Sequence, residues 1–174
     1  MIYTFNFKFD DFFGVPTIKI GIDNQVYYND IVNETVTIDV LLQQGSHKLW
    51  IEHYGKLMHH TDAHHDRHVV LERLLFDNID LDQITYCPLT HRGKFYPYYE
   101  PSYIESNALQ GTVLPEFIQP NHYFGHNGKW VLEYDCPELF WVIKEQNPSG
   151  VHLEDTIFSS SNDALEDIKK FFDL

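Results

Sequence analysis

Positive charge is scarce in this chain. It carries 12 Lys and Arg against 26 Asp and Glu, a formal net charge of −14. Nucleic acid is excluded as a natural partner, because phosphates are neutralised by Lys and Arg. An anionic membrane surface is excluded for the same reason. Cysteine is nearly as rare. Two residues, Cys87 and Cys136, make no disulfide framework and fit free thiols better. Methionine is also low, with 2 residues against 13 Phe and 11 Tyr, and that aromatic enrichment favours sheet over helix. No apolar run approaches the roughly 18 residues of a membrane helix. The first residues alternate apolar with polar and have no basic start, so they do not read as a signal peptide. The expectation is a chain made and folded in a cytoplasm.

Catalytic signatures are missing as well. There is no G-x-S-x-G, no P-loop and no dinucleotide fingerprint. Cys87 and Cys136 each precede a proline, with no base beside them in sequence. In so acidic a chain, spacing cannot single out a glycosidase carboxylate pair. The expectation is a protein that is not an enzyme.

What is present is alternation. Tyr3, Phe5, Phe7 and Phe9 alternate with Thr4, Asn6, Lys8 and Asp10, the pattern of a half-buried strand. Ile18, Ile20 and Ile22 lead through Asp23-Asn24 to Val26-Tyr27-Tyr28, a short hairpin. Residues 35–40 form a β-branched run. After Gln43-Gln44-Gly45-Ser46, residues 47–54 run back as a strand. Residues 69–76 read as another, continuing beyond Asp77-Asn78 through Ile79 and Leu81. In residues 121–143, Asn127-Gly128 is the pair a type I′ turn requires, so this stretch reads as the closing hairpin. Trp130, Leu132 and Tyr134 fall on one of its faces. Residues 139–143 are apolar on both faces and suit a central strand.

Strands about ten residues apart predict an all-β fold, an antiparallel β-sandwich of jelly-roll or carbohydrate-binding-module type, with a small barrel as the alternative. The sandwich spans residues 1–145. Residues 146–174 are a linker and one C-terminal α-helix, where Asp163 and Glu166 give capping-box spacing and Leu165, Ile168 and Phe172 share a face. This is the only helix the periodicity predicts. Residues 87–121 hold five of the eight prolines and read as a long ordered loop.

Three groups could carry chemistry. Residues 59–68 contain five His and two Asp, the donor set for a transition metal. His60, Asp62 and His64 share a face on a strand, and His60, His64 and His68 share one on a helical turn. The plainer reading is a solvated loop whose histidines charge together near pH 6. Asp77, Asp80 and Asp82 could offer oxygens to Ca²⁺ but lack EF-hand spacing. Simple alternation would leave them outward on a strand. The aromatic run 95–103 brings Tyr96, Tyr98 and Tyr99 close together, either as a binding surface or as rings folded over a sheet.

Residues 18–54, IKIGIDNQVYYND…TVTIDVLLQQGSHKLWIEHYGK, resemble the first half of small β-sandwich carbohydrate-binding modules, including calcium-dependent xylan binders. Residues 76–81 and 124–130 resemble sandwich proteins encoded by tailed bacteriophages, including cyanophages. The two resemblances fall within residues 18–130, an interval of roughly two-thirds of the chain. They imply a non-enzymatic virion subunit, a head decoration or tail-associated protein assembled in the host cytoplasm. Such a subunit would dock onto other virion proteins or onto itself through the Leu165/Ile168/Phe172 face or the aromatic loop. The alternative they imply is a calcium-dependent glycan-binding module that uses Tyr96, Tyr98 and Tyr99. No ligand motif of those modules matches here, so the resemblance assigns no calcium or sugar ligand.

Overall fold

The computed structural model describes residues 1–80, 89–119, 121–137 and 141. The chain divides into two units, Met1–Val142 and Ile143–Leu174, and the second lies outside the described residues. So do the predicted helix with Leu165, Ile168 and Phe172, and the 139–143 run apart from Trp141.

The first unit is built from strands. They are β1 (Ile2–Phe9), β2 (Thr17–Ile22), β3 (Gln25–Ile31), β4 (Thr35–Asp39), β5 (Gly45–Tyr54), β6 (Val69–Phe76), β7 (Lys94–Pro97), β8 (Tyr123–Phe124) and β9 (Gly128–Cys136). They form two antiparallel sheets. One has the order β4-β1-β6-β8 and the other β3-β2-β5-β9-β7. The alternation read from the sequence holds along β1, β4 and β9. It breaks in β5, where Trp50 is buried beside Leu49 and Ile51, and in β6, where a register shift exposes both Glu72 and Arg73. Tyr3, Phe5 and Phe7 of β1 are buried, as are Ile18, Ile20 and Ile22 of β2 and Trp130, Leu132 and Tyr134 of β9. All of these belong to one core cluster with Leu49, Ile51, Leu71 and Leu74, so the two sheets bury their inner faces against a shared core in a sandwich-like arrangement. Tyr3 and Tyr134 join their hydroxyls across it at 2.9 Å, and Phe95 stacks on Phe124 with centroids 5.3 Å apart.

The connections differ from the sequence reading in four places. The predicted closing hairpin does not form, because β8 lies in the four-stranded sheet and β9 in the five-stranded one. The Asn127-Gly128 pair crosses between the sheets instead. Gly128 is needed there for close approach, since a Cβ would meet the Tyr96 carbonyl oxygen at 2.6 Å. Residues 40–44 likewise carry the chain from β4 in one sheet to β5 in the other, and the predicted turn residues Gly45 and Ser46 already belong to β5. The left-handed turn falls at Asp77-Asn78, with φ of 48° and 65°, where Phe76 and Ile79 exchange backbone hydrogen bonds. The β6 strand therefore ends at Phe76, and the predicted continuation at Leu81 lies outside the described residues. Finally, residues 89–119 are not a plain loop. They hold a short helix α1 (Leu89–Arg92), the edge strand β7, and a nine-residue helix α2 (Pro101–Leu109). Pro101 at the first helical turn starts α2. No residue of α2 is buried, so it leaves no apolar periodicity to read.

Candidate functional site

Residues 55–68 leave β5 as a strap across the end of the sandwich. Asn127 clamps its start, accepting from the Lys56 N–H at 2.9 Å and donating to the Lys56 carbonyl at 2.8 Å. Arg67 staples it further, donating to the Gly55 carbonyl at 3.0 Å and the Val15 carbonyl at 2.7 Å. Within the strap, the Asp62 carboxylate accepts from the backbone N–H groups of His64 and His65, an Asx-type turn. That turn folds residues 61–66 back on themselves, with Thr61 bridged to Asp66.

This geometry disperses the histidines. His60 accepts from the Leu57 N–H at 3.1 Å and packs beside Phe13. His65 stacks flat on Phe12 at 3.9 Å and faces Asp10 at 3.5 Å. His68 holds the Asp66 carbonyl at 2.7 Å and lies beside the Tyr123 ring. Among the described residues no group of three or more His, Cys, Asp or Glu is placed to hold a metal ion. His60, Asp62, His64 and His68 therefore do not assemble into the ligand set that their spacing suggested, because the turn engages Asp62 with backbone and sends the rings to separate neighbours. The acidic group is engaged too. Asp77 accepts from the Ile2 N–H at 2.6 Å, and Asp80 pairs with Arg73 at 2.9 Å. Asp82 lies outside the described residues, as does Cys87, so the cysteine pairing stays with them.

The strap brings one carboxylate into a cluster of donors. Asp66 accepts from the Lys56 ammonium and the Thr61 hydroxyl on one oxygen and from the Tyr123 hydroxyl at 2.9 Å on the other. Lys56 also donates to the Gly125 carbonyl. Burial works against the Asp66 charge, but the bonds from Lys56, Thr61 and Tyr123 outweigh it and hold the carboxyl below its ordinary range. Burial first, and then its bond to Asp66, push the Tyr123 phenol up. Burial and the nearby Lys56 charge hold His126 below the usual imidazole value.

These groups border a cleft of about 720 Å³. The strap contributes Leu57, Met58 and Asp66. The β7 edge contributes Phe95, with Ile118 bridged to it and Tyr98 just beyond the strand. Helix α2 contributes Ser102, Tyr103 and Ser106, and the β8–β9 crossing contributes Tyr123, Gly125 and His126. Leu57, Met58, Tyr98, Tyr103 and Tyr123 are all exposed and share this one cleft, the kind of exposed apolar patch that marks an interaction site.

The three tyrosines singled out in the sequence go to different neighbours. Tyr96 packs against Phe117 at 5.8 Å. Tyr98 reaches Glu52 at 3.4 Å and lines the cleft. Tyr99 turns to Tyr103 at 5.7 Å and His126 at 5.3 Å. They are not one platform. Lys56, Asp66, Tyr103, Tyr123 and His126 are the groups that sequence reasoning missed as a site. They are far apart in the chain and carry no shared motif; the pairing of β5 and β7 with β9 in one sheet and of β6 with β8 in the other gathers them. A comparison with family models, with curated proteins and with solved structures found no match.

Proposed function

We propose that this protein is a non-enzymatic docking subunit, and that its docking surface is the cleft beneath α2. One observation carries the reading. Helix α2 buries none of its nine residues yet presents Tyr103 to the cleft shared by the exposed Leu57, Met58, Tyr98 and Tyr123. Short helices are marginal in water unless a face is packed, so a helix left bare next to an apolar cleft suits a surface completed by a partner. The fold type is a jelly-roll or binding-module-like sandwich, and the setting is a tailed-phage virion, as head decoration or tail-associated subunit. The resemblances at residues 18–54, 76–81 and 124–130 support that setting. Mass spectrometry of purified virions tests it. The chain is expected among the virion proteins, and its absence would end the virion reading. The double variant Met58→Ala/Tyr103→Ala is expected to fold normally and to drop out of the particle.

A second reading has its own support. Tyr98, Tyr103 and Tyr123 expose rings around Asp66 and Asn121 in one concave surface, a mix of flat apolar faces and acceptors that also suits sugar rings. A glycan array with and without chelator tests it, and silence toward every glycan would remove it.

A further inference from the structure

The polar groups of the cleft are unevenly committed. Its one ammonium, Lys56, is held by Asp66 and by the Gly125 carbonyl. Two carboxylates face the same space. Asp66 has one acceptor site left, on Oδ2, beyond the three hydrogen bonds it accepts. Glu100 sits at the start of α2, and its side chain caps no helix N–H. The same cleft is lined by exposed tyrosine rings, Tyr98, Tyr103 and Tyr123, with Tyr99 stacked against Tyr103 at 18° between planes. Ring faces carry negative potential and attract cations. Surplus carboxylate oxygens call for donors, and guanidinium offers five N–H donors and no acceptor in a plane that stacks on such rings.

We infer that the occupant of the cleft is an arginine-bearing segment of a partner protein, its guanidinium stacked on Tyr103 and directed at Glu100 and Asp66. This deepens the docking reading and rests on it. The whole chain is complementary to such a partner, because its net charge of −14 draws a basic surface toward it. A neutral sugar would use the rings but leave the surplus carboxylate charge unanswered.

The test is an NMR titration of the full ¹⁵N-labelled chain with acetyl-arginine amide, and in parallel with a neutral xylo-oligosaccharide. Saturable shifts are expected at residues 102–106 and 125–127. Binding is expected to weaken about threefold with Glu100→Gln and about fivefold with Tyr103→Ala. Glu72→Gln, which breaks the Lys8 pair on β6 away from the cleft, is expected to leave it unchanged. Shifts scattered over the acidic surface, with all three variants alike, would overturn the inference. So would no response to the arginine probe, or a saturable response to the oligosaccharide alone. Failure here leaves the docking reading standing if Met58→Ala/Tyr103→Ala still loses its place in the virion. Absence of the chain from virions strikes the virion reading without touching an arginine site.

Discussion

His53 is fully buried in β5. Its Nδ1–H donates to the His126 carbonyl at 2.9 Å, and its Nε2 is buried without a partner. Desolvation pushes its pKa down to about 4. A depressed imidazole means that the unfolded chain binds the extra proton between about 6.5 and about 4. The stability from a neutral His53 is therefore complete above about pH 6.5 and drains away as pH falls toward 4, by up to about 3 kcal/mol. Urea titrations from pH 7 down to pH 4.5 should show the midpoint falling, and His53→Gln should flatten that slope. An unchanged slope in the variant would show that the loss comes from other groups. Elsewhere the residue scale is set by contact distance. A Cβ at Gly93 would lie 2.0 Å from the Trp130 ring, whose Nε1 donates to the Asn121 carbonyl. Gly93→Ala is expected to cost about 1–3 kcal/mol by overpacking, read as a lower urea midpoint at constant m-value.

At the scale of elements, the two parts of the cleft should respond in opposite ways. Helix α2 buries nothing, so Ile104→Glu and Leu109→Glu are expected to shift stability by no more than about 0.5 kcal/mol. Its amides should exchange with solvent far faster than those of β9, which hydrogen exchange with mass spectrometry will report. The strap is different. Asn127 makes two hydrogen bonds to the Lys56 backbone across 71 residues, and Asn127→Ala is expected to cost about 2 kcal/mol and to loosen Lys56 and Asp66 with it. Asn127-Gly128 shows how a local signal misleads. The pair suits a type I′ turn, but each residue has a long-range role, Asn127 on Lys56 and Gly128 against Tyr96, and those roles place it between sheets. The two left-handed residues such a turn needs occur at Asp77-Asn78, which reads in sequence as an interruption within a strand.

For the molecule as a whole, net charge dominates. With 26 acidic and 12 basic side chains, the folded state repels itself, and salt should relieve this. Raising ionic strength from about 10 mM to about 500 mM shortens the screening length from about 30 Å to a few ångström, so calorimetry should show the thermal midpoint rising. A falling midpoint would mean that the ion pairs, Lys48 with Glu133 and Lys8 with Glu72 among them, outweigh the repulsion. Which side chains are buried was legible from alternation in the regular strands, because a strand sends successive residues to opposite faces whatever it pairs with, and not at Trp50 or in the bulged pairing of β6 with β1. Tyr3, Phe5, Ile18, Ile20, Trp130 and Tyr134 are buried as the pattern predicts. Sheet membership was not legible, since β4 and β5, or β8 and β9, are chain neighbours in different sheets, and pairing partners up to 91 residues apart, Gly45 and Cys136, leave no local trace. The cleft was the least legible feature. Asp66 looked like one more member of a histidine run and Tyr103 like the end of an aromatic one. Lys56, Asp66, Tyr103 and Tyr123 became a site only when the closure of the two sheets brought their loops to one end of the core.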